Sequence, residues 1–359
     1  MRTIGDRQLR AAAAALLEAA GSAPAEAAIV ADHLVGANLA GHDSHGVGMI
    51  PRYVENAAAG LLHPNRTGDI VTDSGSLLVV DGGAGYGQVI TRDATDLAIA
   101  RASETGAAIL AVRNCHHMGR IGSYGEQVAA AGQVGLMFVN VTGARPLVAP
   151  HLGFDARFAT NPICLSFPGR GGQPPVIFDA ATSAVAVGKC RVAMNKGDPM
   201  AAGLLIDPDG RPTTDPSVMF ADPQGALLPA GGHKGYGLAL FCELLAGALT
   251  GAGTVQPGNP RSDAIINSML AIVIAPGRLV DAGWLAAETV ALLDYMRTAR
   301  SHPGAPVLIP GEPEIAARAN RGRDGIPIDD TTLGQLRTAG LSSGMTADRL
   351  DALGLAAAA

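Results

Sequence analysis

Between residues 76 and 113 the chain runs through an apolar stretch, SLLVVD, a glycine-rich turn, GGAGYGQ, a helical stretch over 88–104 and a second apolar stretch, AAILAVR. Short apolar runs bounded by glycine read as buried strands, so this spacing predicts a strand–turn–helix–strand unit and a fold built on a sheet. The turn also invites a dinucleotide-binding reading, because Gly83 and Gly85 match the first two positions of G-x-G-x-x-G. Gln88 stands where the third glycine belongs, and the second strand ends in VRNCHHMG without the acidic residue that would meet a ribose. The glycines are better read as turn residues that let backbone segments approach closely.

Further strands are predicted at 135–141 (GLMFVNV), 164–168 (CLSFP), 175–181 (PVIFDAA) and 270–276 (LAIVIAP), with a strong apolar helix over 235–250 opening at GGHKG. Residues 6–40 read as two helices separated at GSAP, where Ser22 can cap and Pro24 can open the second. The helical pattern returns from about residue 283. This gives an α/β (α+β) chain in three parts: a helical terminal domain over 1–75 with 283–359, a βαβ-like segment over 76–134, and a sheet domain over 135–282.

At 359 residues, 48% apolar and 16% charged, the chain is long enough to bury a large core, and 47 Gly with 23 Pro indicate many turns rather than disorder. The net charge of −6, with no cluster of Lys and Arg, argues against nucleic acid as a partner. Cys115, Cys164, Cys190 and Cys242 are far apart and form no CxxC pair, which suits reduced thiols in the cytoplasm. The run AAAAALL near the start is flanked by Asp6 and Glu18 and continues in helical phase, so it reads as a helix of the mature protein. No uninterrupted apolar run is long enough to span a membrane.

Five of the nine histidines fall in three polar clusters: His42 and His45 in GHDSHGVGMIPRY, His116 and His117 in NCHHMG, and His233 in GGHKG. A reaction that moves a proton near neutral pH needs a group titrating there, and histidine is that group. Ser44 can bond His45, and Asp179 in FDAATS can orient an imidazole and favour its charged form. That set admits a serine hydrolase, although Ser44 adjoins His45 and lies on no GxSxG elbow. His42, His45, His116 and His117 also admit zinc, although there is no HExxH and no helical HxxxH, and the reading adopted is that no metal is bound. Only three of the 26 basic residues are lysines, Lys189, Lys196 and Lys234, and Lys234 at a glycine-flanked helix start is suited to phosphate.

Taken together, GHDSHGVGMIPRY, NCHHMGRIGSYGE, TNPICLSFP, FDAATSAVAVGK, GRPTTDP, GGHKGYGLALFCELLAGALTGA and VLIPGEPEIAARANRGRDGIPI resemble the malate/L-lactate dehydrogenase family, and within it the bacterial hydroxycarboxylate dehydrogenases. The matching pieces cover residues 41–328. The resemblance implies a mixed, largely antiparallel sheet domain of the sulfolactate-dehydrogenase-like type as the cofactor domain, not a Rossmann fold, and a homodimer. It implies reversible hydride transfer between NAD or NADP, with NAD slightly preferred, and a small 2-oxo acid. The family also holds ureidoglycolate and sulfolactate dehydrogenases and a cyclic-imine reductase, so imine reduction is an alternative, as is a silent relative that only binds nucleotide.

By match to the family's motifs, His45 would be the acid/base, Ser44 and Asp179 its supports, and His117 a second polar group beside the substrate or the nicotinamide. Cofactor contacts would fall on Gly119, Arg120 and Ile121, on Thr160, on Ile177, Phe178, Asp179, Ala180 and Ala181, on His233 and Lys234, and on Asn267, Gly311 and Glu312. Many relatives carry an arginine four residues after the acid/base histidine. Here Met49 occupies that position, which would suit a bulkier, less polar substrate tail. Arg52 is then the first choice to hold the substrate carboxylate, with Arg120 the second.

Overall fold

The computed structural model describes residues 1–259 and 262–356, with the side chains of Asn195 and Lys196 outside that description. A short strand, β1 (Arg2–Ile4), leads into α1 (Asp6–Ala19) and α2 (Pro24–Leu39). Pro24 opens α2 as expected, but the cap position is Ala23 rather than Ser22, and the Ala23 N–H is taken by Asn65 Oδ1 at 2.6 Å. Two single 3₁₀ turns, Asp43–His45 and Val47–Met49, precede α3 (Ile50–Ala58).

An edge strand, β2 (Asp69–Ser74), comes before the predicted unit, which is present as β3 (Leu77–Asp81), α4 (Gly87–Thr105) and β4 (Ala107–His116) with the two strands parallel. Then follow α5 (Gly122–Ala130), β5 (Val134–Thr142), β6 (Ile163–Phe167), β7 (Val176–Ala180) and α6 (Val187–Lys196). A small three-stranded sheet is made by β8 (Leu205–Ile206), β9 (Pro212–Thr213) and β10 (Ala226–Leu227). The helix predicted over 235–250 is α7 (His233–Cys242), running on as a π-helical segment, Glu243–Leu249. The chain ends with β11 (Ile266–Ile274), α8 (Ala282–Arg297), α9 (Glu312–Asp324), β12 (Ile326–Ile328), α10 (Asp330–Ser342) and α11 (Ala347–Ala352).

The main sheet has seven strands in the order β2-β3-β4-β11-β5-β6-β7, and only the β3–β4 pairing is parallel. It therefore joins segments that the three-part reading separates, because β11 lies between β4 and β5, and β2 belongs to the sheet rather than to the terminal helices. Side chains alternate across each strand. One face, with Leu110, Val112, Met137, Val139 and Ile177, packs under Ala94 and Ala98 of α4 and Val128 of α5. The opposite face carries a row in register, Leu77, Ile109, Ile272, Leu136, Leu165 and Phe178, all exposed or half-buried.

A second core joins the two ends of the chain: Leu9, Leu16 and Leu17 of α1, Val30 and Leu34 of α2, Ile50 and Tyr53 of α3, and Leu333 and Leu336 of α10. The pairing of β1 with β12 closes it. Helix α8 does not join this core; Leu293 is its only buried residue.

Candidate active site

The turn GGAGYGQ positions the histidine strand. A Cβ at Gly87 would sit 2.8 Å from His117 O and from Met118 Cα, and closer still to His116 O, so only glycine lets the start of α4 lie against the end of β4. The His116 N–H bonds Gly85 O at 2.9 Å, which fixes that approach. Buried Gln88, the residue that breaks the dinucleotide fingerprint, thereby reaches Tyr53 of α3, its Nε2 donating to the phenolic oxygen at 2.7 Å. The Tyr53 hydroxyl lies 2.6 Å from His117 Nδ1, and Asn56, one turn further along α3, meets His116 Nε2 at 2.7 Å. Burial, then the neighbouring His45, His116 and His33, holds His117 well below the usual imidazole range.

His45 stacks on His117 with ring centroids 5.6 Å apart and planes 20° apart. Its Nδ1 is 3.0 Å from Ser44 Oγ, so the predicted Ser44–His45 pair is present. His45 is half-buried as a residue, and burial first, then His42 and Arg120, lower its pKa to about 4. A Cβ on Gly188, at the start of α6, would come within 3.0 Å of Ser44 Cβ, so that glycine gives the turn its room.

Asp179 does not support His45. Its Oδ2 accepts the Gly122 N–H at 2.7 Å and faces Arg120 Nε at 3.7 Å, and among the described residues no hydrogen bond joins it to His45. Burial pushes the Asp179 carboxyl up against the opposing pull of Arg120 and the Gly122 N–H. Arg120 is itself buried, paired with Glu126 at 2.7 Å, and its backbone N–H bonds His33 Nε2 at 3.0 Å. Gly119 has a φ of +72°, and a Cβ there would lie 2.5 Å from His33 Nε2. Ile121 is in the sheet core and offers no free side chain.

Arg52 is on the exposed side of α3, bonded to the Asp263 carbonyl and 3.5 Å from Glu55, so it is partly engaged. Met49 packs against the terminal core rather than standing free. Asn267 accepts the Met118 N–H at 2.9 Å and donates to Asn140 O at 3.2 Å, which anchors the segment after His117.

The run 177–181 cannot face one ligand throughout, because alternate residues point to opposite sides of β7. Ile177 is in the core and its N–H is taken by Pro310 O at 3.0 Å, whereas Phe178 is 46% exposed on the opposite face. Gly311, with a φ of +101°, docks on the backbone of Ile177, and the Glu312 carboxylate is held by Arg297 at 2.7 Å and by the Ile309 N–H at 2.8 Å. Glu312 thus clamps its own turn. Past Ala180 and Ala181 the chain meets two other predicted pieces: the Thr182 N–H bonds Thr160 O at 3.0 Å, and the Ala230 N–H bonds Thr182 O at 2.9 Å. The GGHKG turn follows at once, with Gly231 and Gly232 at positive φ and His233 and Lys234 exposed in the first turn of α7.

A profile of the malate/L-lactate dehydrogenase family matches residues 4–337. The chain belongs to that family. It is 45% identical over 334 residues to hydroxycarboxylate dehydrogenase B of Escherichia coli (strain K12), covering 92% of each. An E. coli protein described provisionally as a malate/lactate dehydrogenase superposes with a TM-score of 0.94 at 42% identity over 98% of both chains. Δ1-Piperideine-2-carboxylate reductase from Pseudomonas syringae pvar. tomato superposes with a TM-score of 0.82 at 30% identity, over 94% of this chain and 100% of that one. The mostly antiparallel sheet described above is the type expected, and the chain superposes on sulfolactate dehydrogenase from Methanocaldococcus jannaschii with a TM-score of 0.83 at 32% identity, over 96% of this chain and 98% of that one.

Several site residues carried no mark in the sequence. Tyr53 and Asn56 are spaced three apart on a short amphipathic helix, a pattern shared by any surface helix. Glu314, Arg318 and Arg321 of α9 reach His42 at 3.0 Å, Glu126 at 2.7 Å and Asp43 at 2.6 Å. Their i, i+4, i+7 spacing places three charges on one helical face, and that was the available signal.

The histidines reach separate partners: Glu314 for His42, Ser44 for His45, Asn56 for His116 and Tyr53 for His117. Among the described residues no group of three or more His, Cys, Asp or Glu is placed to hold a metal ion. With Asp179 turned to Arg120, no Ser-His-Asp relay is assembled among the described residues either.

Proposed function

We propose that the protein interconverts a 2-oxo acid and the corresponding 2-hydroxy acid using a nicotinamide cofactor, with NAD as the first to test. The observation that carries this reading is the His45–His117 stack, two neutral imidazoles side by side next to buried Arg120, in a chain of this family. His45, neutral and half-buried, takes a proton from the hydroxyl in oxidation and returns it in reduction. Its Nδ1 contact with Ser44 leaves Nε2 for that transfer. His117 stands beside it as a second polar group. Arg120 is too deeply buried to be touched and acts through its field, so Arg52 is the cation assigned to contact the substrate carboxylate, exchanging the Asp263 carbonyl for it.

The turn after β7 fits the cofactor. A Cβ at Gly235 would lie 2.6 Å from Thr182 O and from Ala230 N, so the backbone there is packed too closely for a side chain, and Lys234 adds an exposed cation at a helix N-terminus. Thr160, Ala180, Ala181, His233 and Lys234 would hold the group, and when bound it supplies or accepts the hydride.

Assembly as a homodimer is supported by two apolar surfaces. One is the outer sheet face with Leu165 and Phe178; the other is α8, where Trp284 is 58% and Tyr295 70% exposed. Patches of this kind mark interfaces, and a second copy of the chain is the partner proposed. All four cysteines are buried and unpaired, which suits a reducing compartment such as the cytoplasm. Among the described residues no helix is long and apolar enough to cross a membrane.

The deciding experiment follows oxidation of reduced NAD and of reduced NADP with a panel of 2-oxo acids and cyclic imines, the latter because of the likeness to the P. syringae reductase. Turnover of 2-oxo acids is expected. Turnover of imines alone would move the protein to the alternative chemistry, and no turnover of either would refute the proposal.

A further inference from the structure

We propose that Gln88, acting through Tyr53, sets the tautomer of His117, keeping its proton on Nε2 so that the ring is a hydrogen-bond donor to the reacting oxygen and not a base. The donor role rests on the function proposed above; the tautomer does not.

The argument follows from counting hydrogens along a buried chain of three groups. An amide nitrogen can only donate, so at 2.7 Å the Tyr53 oxygen accepts from Gln88 Nε2. A phenol has one hydrogen, and the other neighbour of the Tyr53 oxygen is His117 Nδ1 at 2.6 Å. Tyr53 therefore donates to Nδ1, and a neutral imidazole that accepts at Nδ1 carries its proton on Nε2. Burial keeps Tyr53 protonated, with its pKa shifted upward, and keeps His117 neutral, so neither end of the chain changes charge near neutral pH.

The direction of the chain depends on which end of the Gln88 amide faces Tyr53. Gln88 Oε1 is buried without a hydrogen-bond partner among the described residues. Turning the amide over would put the NH₂ group in that place, burying a donor group without an acceptor in exchange for one bare oxygen. Unsatisfied buried N–H groups are rarer than under-satisfied oxygens, so the orientation with Nε2 toward Tyr53 is the one retained. His45 has no such constraint, since Ser44 Oγ can donate or accept at its Nδ1. The two stacked rings are thereby given different tasks: His45 moves the proton, and His117 donates a hydrogen bond to the oxygen on which negative charge develops.

The prediction is read by ¹⁵N NMR of the histidine rings in the full-length protein, wild type and variants, without substrate. In the wild type, His117 should show a protonated Nε2 and a bare Nδ1. In Gln88→Glu a carboxylate accepts the Tyr53 hydrogen, the phenolic oxygen then accepts from Nδ1–H, and the two signals should exchange. Tyr53→Phe removes the relay and should leave a mixture of tautomers; it also serves should the buried glutamate prevent folding. A wild-type His117 with its proton on Nδ1, or a pattern unaltered in both variants, overturns the assignment. Turnover separates the tautomer from its use. Loss of one donor to a developing oxyanion typically costs about 10²–10³ in kcat, and Gln88→Glu is expected to show such a loss with a smaller change in KM. Exchanged signals with unchanged turnover would leave the tautomer standing and refute the donor role of His117.

Discussion

Titrating the reaction in both directions tests the electrostatics around His45. Burial, then His42 and Arg120, lower its pKa to about 4, so the free protein holds the ring neutral from about pH 5 upward. At pH 7 roughly one ring in 10³ then carries a proton, against about one in four at the ordinary histidine value. The acceptor form is abundant and the donor form scarce. Because kcat/KM reports the free enzyme, it should be flat for oxidation above about pH 5 and fall about tenfold per unit below about pH 4. For reduction the sign reverses, with a fall of about tenfold per unit from about pH 4 upward. The two profiles differ by the one proton that the overall reaction takes up. In kcat the bend should move to higher pH, since a bound carboxylate favours the charged ring. Initial rates measured by nicotinamide absorbance across this range, with the 2-oxo acid and with the 2-hydroxy acid, give both profiles. An oxidation kcat/KM that climbs tenfold per unit between about pH 6 and 7 before levelling would show that His45 holds its proton in the free protein, and would refute this reasoning.

Replacing His45 with alanine should lower kcat by about 10²–10⁴ while the affinity for reduced nicotinamide, read by its fluorescence, changes little; a greater kcat loss in His117→Ala would reverse the roles of the two rings. Gly87→Ala forces a Cβ against His116 O, His117 O and Met118 Cα, and since these are backbone atoms the cost should lie near the top of the overpacking range, about 3 kcal/mol, visible as a lowered thermal midpoint. An unchanged midpoint would mean that α4 and β4 are not held as closely as described. If the outer sheet face is the dimer interface, Leu165→Asp with Phe178→Asp should convert a species sedimenting at twice the chain mass to a monomer, and a dimer that survives both changes would place the interface elsewhere.

The strand–turn–helix–strand unit at 77–116 was legible because each piece is short, apolar in the right period and bounded by glycine. The sheet order was not. β11 is the last strand of the sheet in sequence, yet it lies between β4 and β5, and which distant strand a given apolar run will pair with leaves no trace in local periodicity. The same limit explains the site. Ser44 and His45 stand out in a run of four polar residues, His42 to His45, and His117 in the His116–His117 pair, and the structure brings the two clusters together. Asp179 at the end of a strand looked like a partner for histidine, but Arg120, from the loop before α5, arrives first. In the sequence Gln88 is only a flaw in a nucleotide motif; its contact with Tyr53 depends on α3 and α4 meeting, which neither segment announces.

The DSH segment also raises a mechanical question, because a single 3₁₀ turn has almost no stability of its own. Asn38 holds it from inside: its Oδ1 accepts the Val47 N–H at 2.9 Å and its Nδ2 donates to Asp43 at 2.7 Å, with Gly46 leaving the room that a Cβ would take from the Asn38 side chain. From outside, α9 places Glu314 on His42 and Arg321 on Asp43, so the residues just before Ser44 are pinned on both sides. Partly exposed ion pairs of this kind each contribute at most about 1 kcal/mol to folding. Their value is therefore in position rather than stability: half-buried His45 keeps its place beside His117 only if the turn beneath it is fixed. Helix α9 provides that fixing, and the antiparallel pairing of β12, which follows it directly, with β1 joins it to the first strand of the chain.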